Sequence, residues 1–161
     1  IDLETTGLNS SSDEIIELAA IRIINHKIAD QLEILVKTEK GVPKVITELT
    51  GITEEILEEK GTVLSSAMER FCEFIGQSTI VGHNIAFDRS FLKEACRKTN
   101  RMNLKNSAKD TLDLARRRID DIDDYKLHAL ADYFQIKVEE EHRALSDCIT
   151  TFQVFEKLNE I

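Results

Sequence analysis

No apolar run in this sequence approaches the roughly 20 residues that a membrane-crossing helix needs, and no secretory leader is visible in it. Paired cysteines are lacking too. Cys72, Cys96 and Cys148 are odd in number and far apart, with no C-x-x-C and no His at zinc-finger spacing. Reduced thiols in a cytoplasmic protein are therefore expected. There is no internal repeat, low-complexity tract or interior linker. An excess of positive charge is also absent: the net charge is −9, which argues against holding nucleic acid by charge alone. What the chain has in quantity is ordinary. With 42% hydrophobic and 32% charged residues it is not a disordered sequence, and 161 residues make one domain with a sizeable core. Ile1 runs straight into Asp2, so the first strand is expected to begin upstream of Ile1, with any targeting signal there out of view.

The charge is uneven. From Arg89 to Arg118 the bases are Arg89, Lys93, Arg97, Lys98, Arg101, Lys105, Lys109, Arg116, Arg117 and Arg118, against the acids Glu94, Asp110 and Asp113. Two readings stay open, a solvated helix face and a surface that tracks phosphates beside an acidic site. Asp120-Asp121-Ile122-Asp123-Asp124 lacks the Gly and the spaced Glu of an EF-hand and reads as a solvated acidic loop.

Glu14–Asn25 is β-branched and apolar and predicts a mostly buried strand. Asn25-His26-Lys27 is a turn, and Gln31–Val36 alternates enough for the next strand. Short links imply an antiparallel meander with the strand of Asp2 and Glu4. Gly41-Val42-Pro43 breaks the pattern. Thr53 caps a helix through Lys60, and another spans Val63–Ile75. Thr79–Gly82 is a short strand. Ala86–Lys98 is an amphipathic helix, Thr111–Arg118 and Lys126–Phe134 are helical, and Arg143–Leu158 is a long closing helix. A meander followed by alternating helix and strand predicts an α/β sheet covered by helices on both faces.

Three fragments carry chemistry. In Asp2-Leu3-Glu4 the two acids share one face of a strand while Leu3 points to the core; adjacent carboxylates repel unless a cation sits between them. His83-Asn84-Ile85-Ala86-Phe87-Asp88 follows a strand and opens a helix, placing Asp88 in the first turn near positive dipole charge. His83 is expected to be a hydrogen-bonding residue at the strand end. In His142-Arg143-Ala144-Leu145-Ser146-Asp147, a helical reading separates His142 and Asp147 by roughly 7.5 Å and about 140°. That puts His142 beyond shared ligation but within reach of a water, where its ordinary pKa suits a general base. The remaining histidines, His26 and His128, are expected on a turn and a helix surface without acidic partners. Each fragment alone has an unremarkable structural reading.

In combination, D-x-E, then H-N-x-x-F-D, then H-x-x-x-x-D resembles the DEDDh exonuclease family, the DnaQ-like branch of the ribonuclease H-like fold. DLETTGL, VGHNIAFDRSFL and HRALSD look like its three motifs, and the resemblance covers nearly the whole chain. It implies a central mixed sheet, with an antiparallel three-strand meander plus parallel strands and helices on both faces. It also implies a 3′→5′ exonuclease with two divalent ions, Mg²⁺ or Mn²⁺, acting on nucleic-acid 3′ ends. Asp2, Glu4 and Asp147 would hold one ion, Asp2 would bridge to a second, Asp88 would orient the second ion's waters, and His142 would be the base. The substrate-facing set is Thr5, Thr6, Gly7, Leu49, Ile52, Asn84 and Phe87, with Leu49, Ile52 and Phe87 as an apolar wall for the terminal base. LTGIT at Leu49–Thr53 leans toward the polymerase III epsilon or PolC-type proofreading branch. That favours single-stranded DNA and a polymerase subunit, or a fused polymerase or helicase, as partner. An exoribonuclease and a non-catalytic nucleic-acid-binding domain remain alternatives.

Overall fold

The computed structural model describes residues 1–140 and 142–161, and its chain opens as a meander of β1 (Asp2–Thr5), β2 (Ile15–Ile24) and β3 (Lys27–Leu35). Asn25 and His26 both take positive φ, 51° and 60°, which gives a two-residue hairpin turn whose twist matches that of the flanking strands. That tight turn lets β3 begin at Lys27, earlier than the alternation from Gln31 indicates. β1 pairs antiparallel with β2, and Asp2 lies opposite Ala19 and Glu4 opposite Glu17. A register shift between Glu4 and Thr5 ends the regular ladder where the chain turns away.

Helices α1 (Lys44–Thr50), α2 (Glu54–Lys60) and α3 (Leu64–Ile75) follow, then β4 (Ile80–Gly82), α4 (Ile85–Lys98), β5 (Ala108–Asp110), α5 (Thr111–Arg118), α6 (Leu127–Tyr133) and α7 (Ala144–Glu160). Thr53 caps α2 by accepting from the Ile56 N–H. β4 and β5 pair in parallel, and the Ile1 amino group donates to Val81 O at 2.7 Å, which sets β4 beside the start of β1. Two elements had escaped the sequence pattern. α1 has only seven residues and no side-chain cap, and β5 has only three.

Strand alternation divides the layers. Leu3, Leu18 and Ala20 pack with Phe71 and Met68 of α3 and Phe91 and Leu92 of α4. On the opposite face Ala19 meets Ala144 and Cys148 of α7. Small side chains there let α7 approach the sheet closely. The expected α/β sheet with helices on both faces is thus the observed one, and among the described residues no helix is long and apolar enough to cross a membrane.

Asp110, at the end of β5, joins two helices. Its carboxylate accepts from Leu112 N at 2.9 Å, which caps α5, and from Asn84 N at 2.9 Å and Ile85 N at 3.1 Å at the start of α4. Losing a helix cap costs up to about 2 kcal/mol. Asp110→Ala, which strips acceptors from two helix starts, should lower unfolding stability by roughly 2 kcal/mol, read as a reduced urea midpoint. An unshifted midpoint would show that these bonds contribute nothing net.

Candidate active site

β1 and the first turns of α4 and α7 converge on one point. Asp2 and Glu4 project from the same face of β1, and Asp147 arrives from the first turn of α7. One carboxylate oxygen of each lies within 4.8 Å of the others. Asp88, in the first turn of α4 and only 3% exposed, is near enough to act electrostatically on Asp2.

Crowding and burial leave their mark on protonation. The Asp2 carboxyl is held well above the ordinary carboxylate range by burial first, then by Asp88, Asp147 and Glu4. Glu4 is pushed up to about 8 by burial, then by Asp147 and Glu17, with the Arg143 guanidinium opposing. Asp88 rises to about 7 through burial, offset in part by the terminal ammonium and by backbone N–H bonds. Three half-buried carboxylates with converging oxygens form a donor set suited to a hard divalent cation. Cys148 adds no thiolate to it, since burial pushes its thiol up to about 12.

Around the acids, the Thr5-Thr6-Gly7 turn is tied down by its own hydroxyls. Thr5 Oγ1 donates to Gly7 O at 2.6 Å, and Thr6 Oγ1 accepts from Glu14 N at 2.9 Å. At Gly7 a β-carbon would crowd the Asp13 carboxylate, which accepts from Asn9 N at 2.8 Å, so a larger residue there would have to displace that side chain. Leu8 next to it is 87% exposed, an apolar side chain standing free at the rim. Leu49 is exposed at the end of α1, and Phe87 is half-buried against Phe91, with ring centroids 5.0 Å apart. Ile52 is different: it is buried with Ile16 and Leu57 and lies behind the surface. Asn84 is exposed in the left-handed conformation at the start of α4, its N–H on Asp110. His83 stays half-buried at the strand end, 2.9 Å from Thr111 Oγ1.

His142 departs from the helical geometry expected for it. It precedes the helix, is exposed and has φ 56°; the first helical residue is Ala144, behind the N-cap Arg143. The separation calculated along a helix therefore does not apply, and an exposed turn gives the imidazole more freedom than a helix would. His26 and His128 sit on the turn and helix as expected, but each has an acid nearby, Glu156 at 2.5 Å and Asp124 at 4.0 Å. Of the basic stretch, Arg97 pairs with Glu94, Arg117 and Arg118 donate to the Asp113 and Leu158 carbonyls, and Lys109 lies over the Phe155 ring. Among these four, and within the described residues, Arg97 alone is paired with an acid.

Two contributors lie outside the candidate site residues read from the sequence. Glu17 is fully buried in β2, opposite Glu4, and receives bonds from Arg143 and from the backbone of Ala144. A charged residue inside the apolar run EIIELAAI was the available signal, because a buried carboxylate must find partners. Asp110 gave less warning, being one acid in a basic stretch.

The RNase T family model, described as an exonuclease, matches residues 1–155. The PolC-type DNA polymerase III of Caldanaerobacter subterraneus subsp. tengcongensis is 38% identical over 164 residues, covering 99% of this chain and 12% of that one. The chain thus spans about an eighth of that relative's length. Exonuclease X, solved in complex with 5′ overhanging duplex DNA, superposes with a TM-score of 0.76 at 25% identity, over 99% of this chain and 89% of that one. E. coli exonuclease I with a dT13 oligonucleotide gives a TM-score of 0.88 at 20% identity, over 98% of this chain and 40% of its own. On the strength of the family match along nearly its whole length, this chain belongs to the RNase T exonuclease family.

Proposed function

We propose that residues 1–161 act as one exonuclease domain that removes 5′-mononucleotides from the 3′ ends of DNA, with single strands preferred. The observation that carries this reading is the convergence of Asp2, Glu4 and Asp147 within 4.8 Å, beside Asp88, in a chain of an exonuclease family. Single-stranded DNA is favoured because the exonuclease I neighbour was solved with dT13. DNA rather than RNA is favoured because the relatives are DNA polymerases. A polymerase, fused or associated, would deliver the frayed end, and the cytoplasm is the setting that three free thiols suggest.

Asp2, Glu4 and Asp147 would hold one divalent cation, and Asp2 with Asp88 would serve a second, Mg²⁺ or Mn²⁺. Once bound, such ions neutralise phosphate charge and favour an in-line displacement at phosphorus. The other tasks fall to the chain itself. The fixed backbone of Thr5–Gly7 would seat the terminal nucleotide, and Leu49 and Phe87 would wall its base, with Ile52 supporting them from behind. Asn84, exposed above Asp110, would face the strand. His142 would take a proton from the attacking water as the P–O3′ bond breaks. Its exposed position suits proton exchange with solvent.

Three measurements test this reading. On matched single-stranded DNA and RNA labelled at either end, the protein with Mg²⁺ or Mn²⁺ should shorten DNA from the 3′ end and leave a closed single-stranded circle intact. Rapid cutting of the circle would rule out the exonuclease reading, and Asp2→Ala with near wild-type turnover would rule out the site.

His142→Ala should slow turnover roughly 10²–10⁴-fold, the usual span for a lost general base, while calorimetric Mn²⁺ affinity stays put. Loss of metal and activity together would make His142 a ligand; loss of neither would make it structural.

Glu4 also predicts a pH effect with a definite sign. Its native pKa of about 8 lies above the ordinary 4.5, so the native state holds its proton more tightly than the unfolded chain does. Its contribution to stability is fully present below about 4.5 and is lost as pH rises through about 8. In chelator, wild type relative to Glu4→Gln should therefore lose melting temperature across that window. Added Mn²⁺ should restore more of it at high pH, because the cation displaces protons. A wild-type melting temperature that rises against Glu4→Gln over the same window would overturn the assignment.

A further inference from the structure

We propose that Glu17 and Arg143 form a positioning pair that fixes the entry to α7, and through it places Asp147 against Asp2 and Glu4. The inference rests on reading those acids as the metal-holding site of the nuclease.

Both Glu17 oxygens are used. Oε1 accepts from Arg143 Nη2 at 2.8 Å; Oε2 accepts from Ala144 N at 2.9 Å and from Arg143 Nε at 3.3 Å. The guanidinium contact is bidentate, which fixes direction as well as distance. α7 has no side-chain cap of its own, because its N-cap residue is Arg143. Glu17 supplies the missing acceptor from the neighbouring strand, at the helix end where negative charge is favourable. Asp147 lies one turn further on, and its N–H donates to Arg143 O at 2.9 Å. The residue that Glu17 grips is thus bonded directly to the backbone of the site acid.

Beside the site the helix meets β2 through Ala19, Ala144 and Cys148, with the larger Ile21 and Leu145 packed against them. To this non-directional packing the Glu17 bonds add contacts that fix the first turn in direction as well as distance. Arg143 also reaches Glu33 Oε1 at 3.4 Å and Glu140 Oε1 at 3.9 Å, so the segments on both sides of His142 are tied to one guanidinium. An apolar pair could fill the same space without desolvating two charges, but it could not accept from the Ala144 N–H. Because Glu4 is the cross-strand partner of Glu17, the pair relates β1 to α7 at the level of the site itself.

The test uses Glu17→Gln, Arg143→Met, Arg143→Lys and the double variant Glu17→Gln/Arg143→Met in the intact chain. Single-turnover cleavage of a single-stranded DNA oligonucleotide is measured beside calorimetric Mn²⁺ titration and thermal unfolding. Glu17→Gln and Arg143→Met should each cost about 10–100-fold in kcat or in Mn²⁺ affinity, the range for residues that orient metal ligands, with KM for the oligonucleotide little changed. Arg143→Lys, which keeps the charge, should recover part of the loss. The double variant should be no worse than the poorer single, because the two residues act as one unit. A merely structural pair would lower the folded fraction without moving the Mn²⁺ dissociation constant of the molecules that remain folded. Folded variants with wild-type turnover and Mn²⁺ affinity would overturn the proposal, as would losses that add in the double variant. If Glu17→Gln does not fold, the two Arg143 variants carry the same decision. If wild-type protein cuts no oligonucleotide, the nuclease reading fails on its own, and the Mn²⁺ titrations still decide whether the pair positions the acids.

Discussion

Mutual repulsion among Asp2, Glu4, Asp88 and Asp147 is the constraint on which the rest of the structure turns. Burial raises the carboxyls of Asp2, Glu4 and Asp88, and neighbouring acids of the cluster raise Asp2 and Glu4 further, so without a cation the cluster opposes folding. A chain that gathers acids in this way needs rigid supports that no single acid can push aside. β1 is held edge-on by the ladder to β2. α4 and α7 start at the cluster, and their positive ends face the carboxylates they carry. Helix dipoles alone are weak. What holds each helix start is a further acid, outside the cluster, that bonds its backbone.

Asp110 and Glu17 do this in parallel ways. Asp110 accepts from the N–H groups of Asn84 and Ile85, just ahead of Asp88. Glu17 accepts from the Ala144 N–H, just ahead of Asp147. Each sits at or near a strand end and reaches the next layer. The outer acids are thus spent on backbone donors, while Asp2, Glu4 and Asp147 converge on one point. The Arg143 guanidinium, which acts on Glu4, is turned toward Glu17, Glu33 and Glu140. A cation of that kind among the inner acids would relieve the repulsion permanently and remove the affinity for a divalent ion.

How far the sequence disclosed this follows from the range of each interaction. The side-chain period of a strand is enough to put Asp2 and Glu4 on one face, and the first-turn positions of Asp88 and Asp147 follow from helix starts. The order of the three fragments then carried the family and the fold. Glu17 and Asp110 act across 127 and 26 residues of chain in their bonds to Ala144 and Asn84, and no local pattern records such a pairing. α1 and β5 were missed for another reason: they are held by tertiary contacts and are too short for a period to emerge. Ile52 was read as a surface residue because its motif is a loop, yet a loop can also direct an apolar side chain inward, as here toward Ile16.

His142 shows the limit of local geometry most clearly. A helix drawn through His142–Asp147 gives a fixed offset, but the helix starts only at Ala144, and His142 has a left-handed backbone in front of it. The difference has a physical cause. Arg143 must leave helical geometry to present its guanidinium to Glu17 while its carbonyl accepts from Asp147, and it does so with an extended backbone, φ −129° and ψ 124°. Continuing the helix back through Arg143 would cost the tertiary cap. The exposed place of His142 is therefore set by the demands of its neighbour. An imidazole at that place gains solvent access, while Asp147, one turn further on, gains a fixed frame. The same buried carboxylate accounts for both, which is why an exposed His142 and a fixed Asp147 coexist within six residues of sequence.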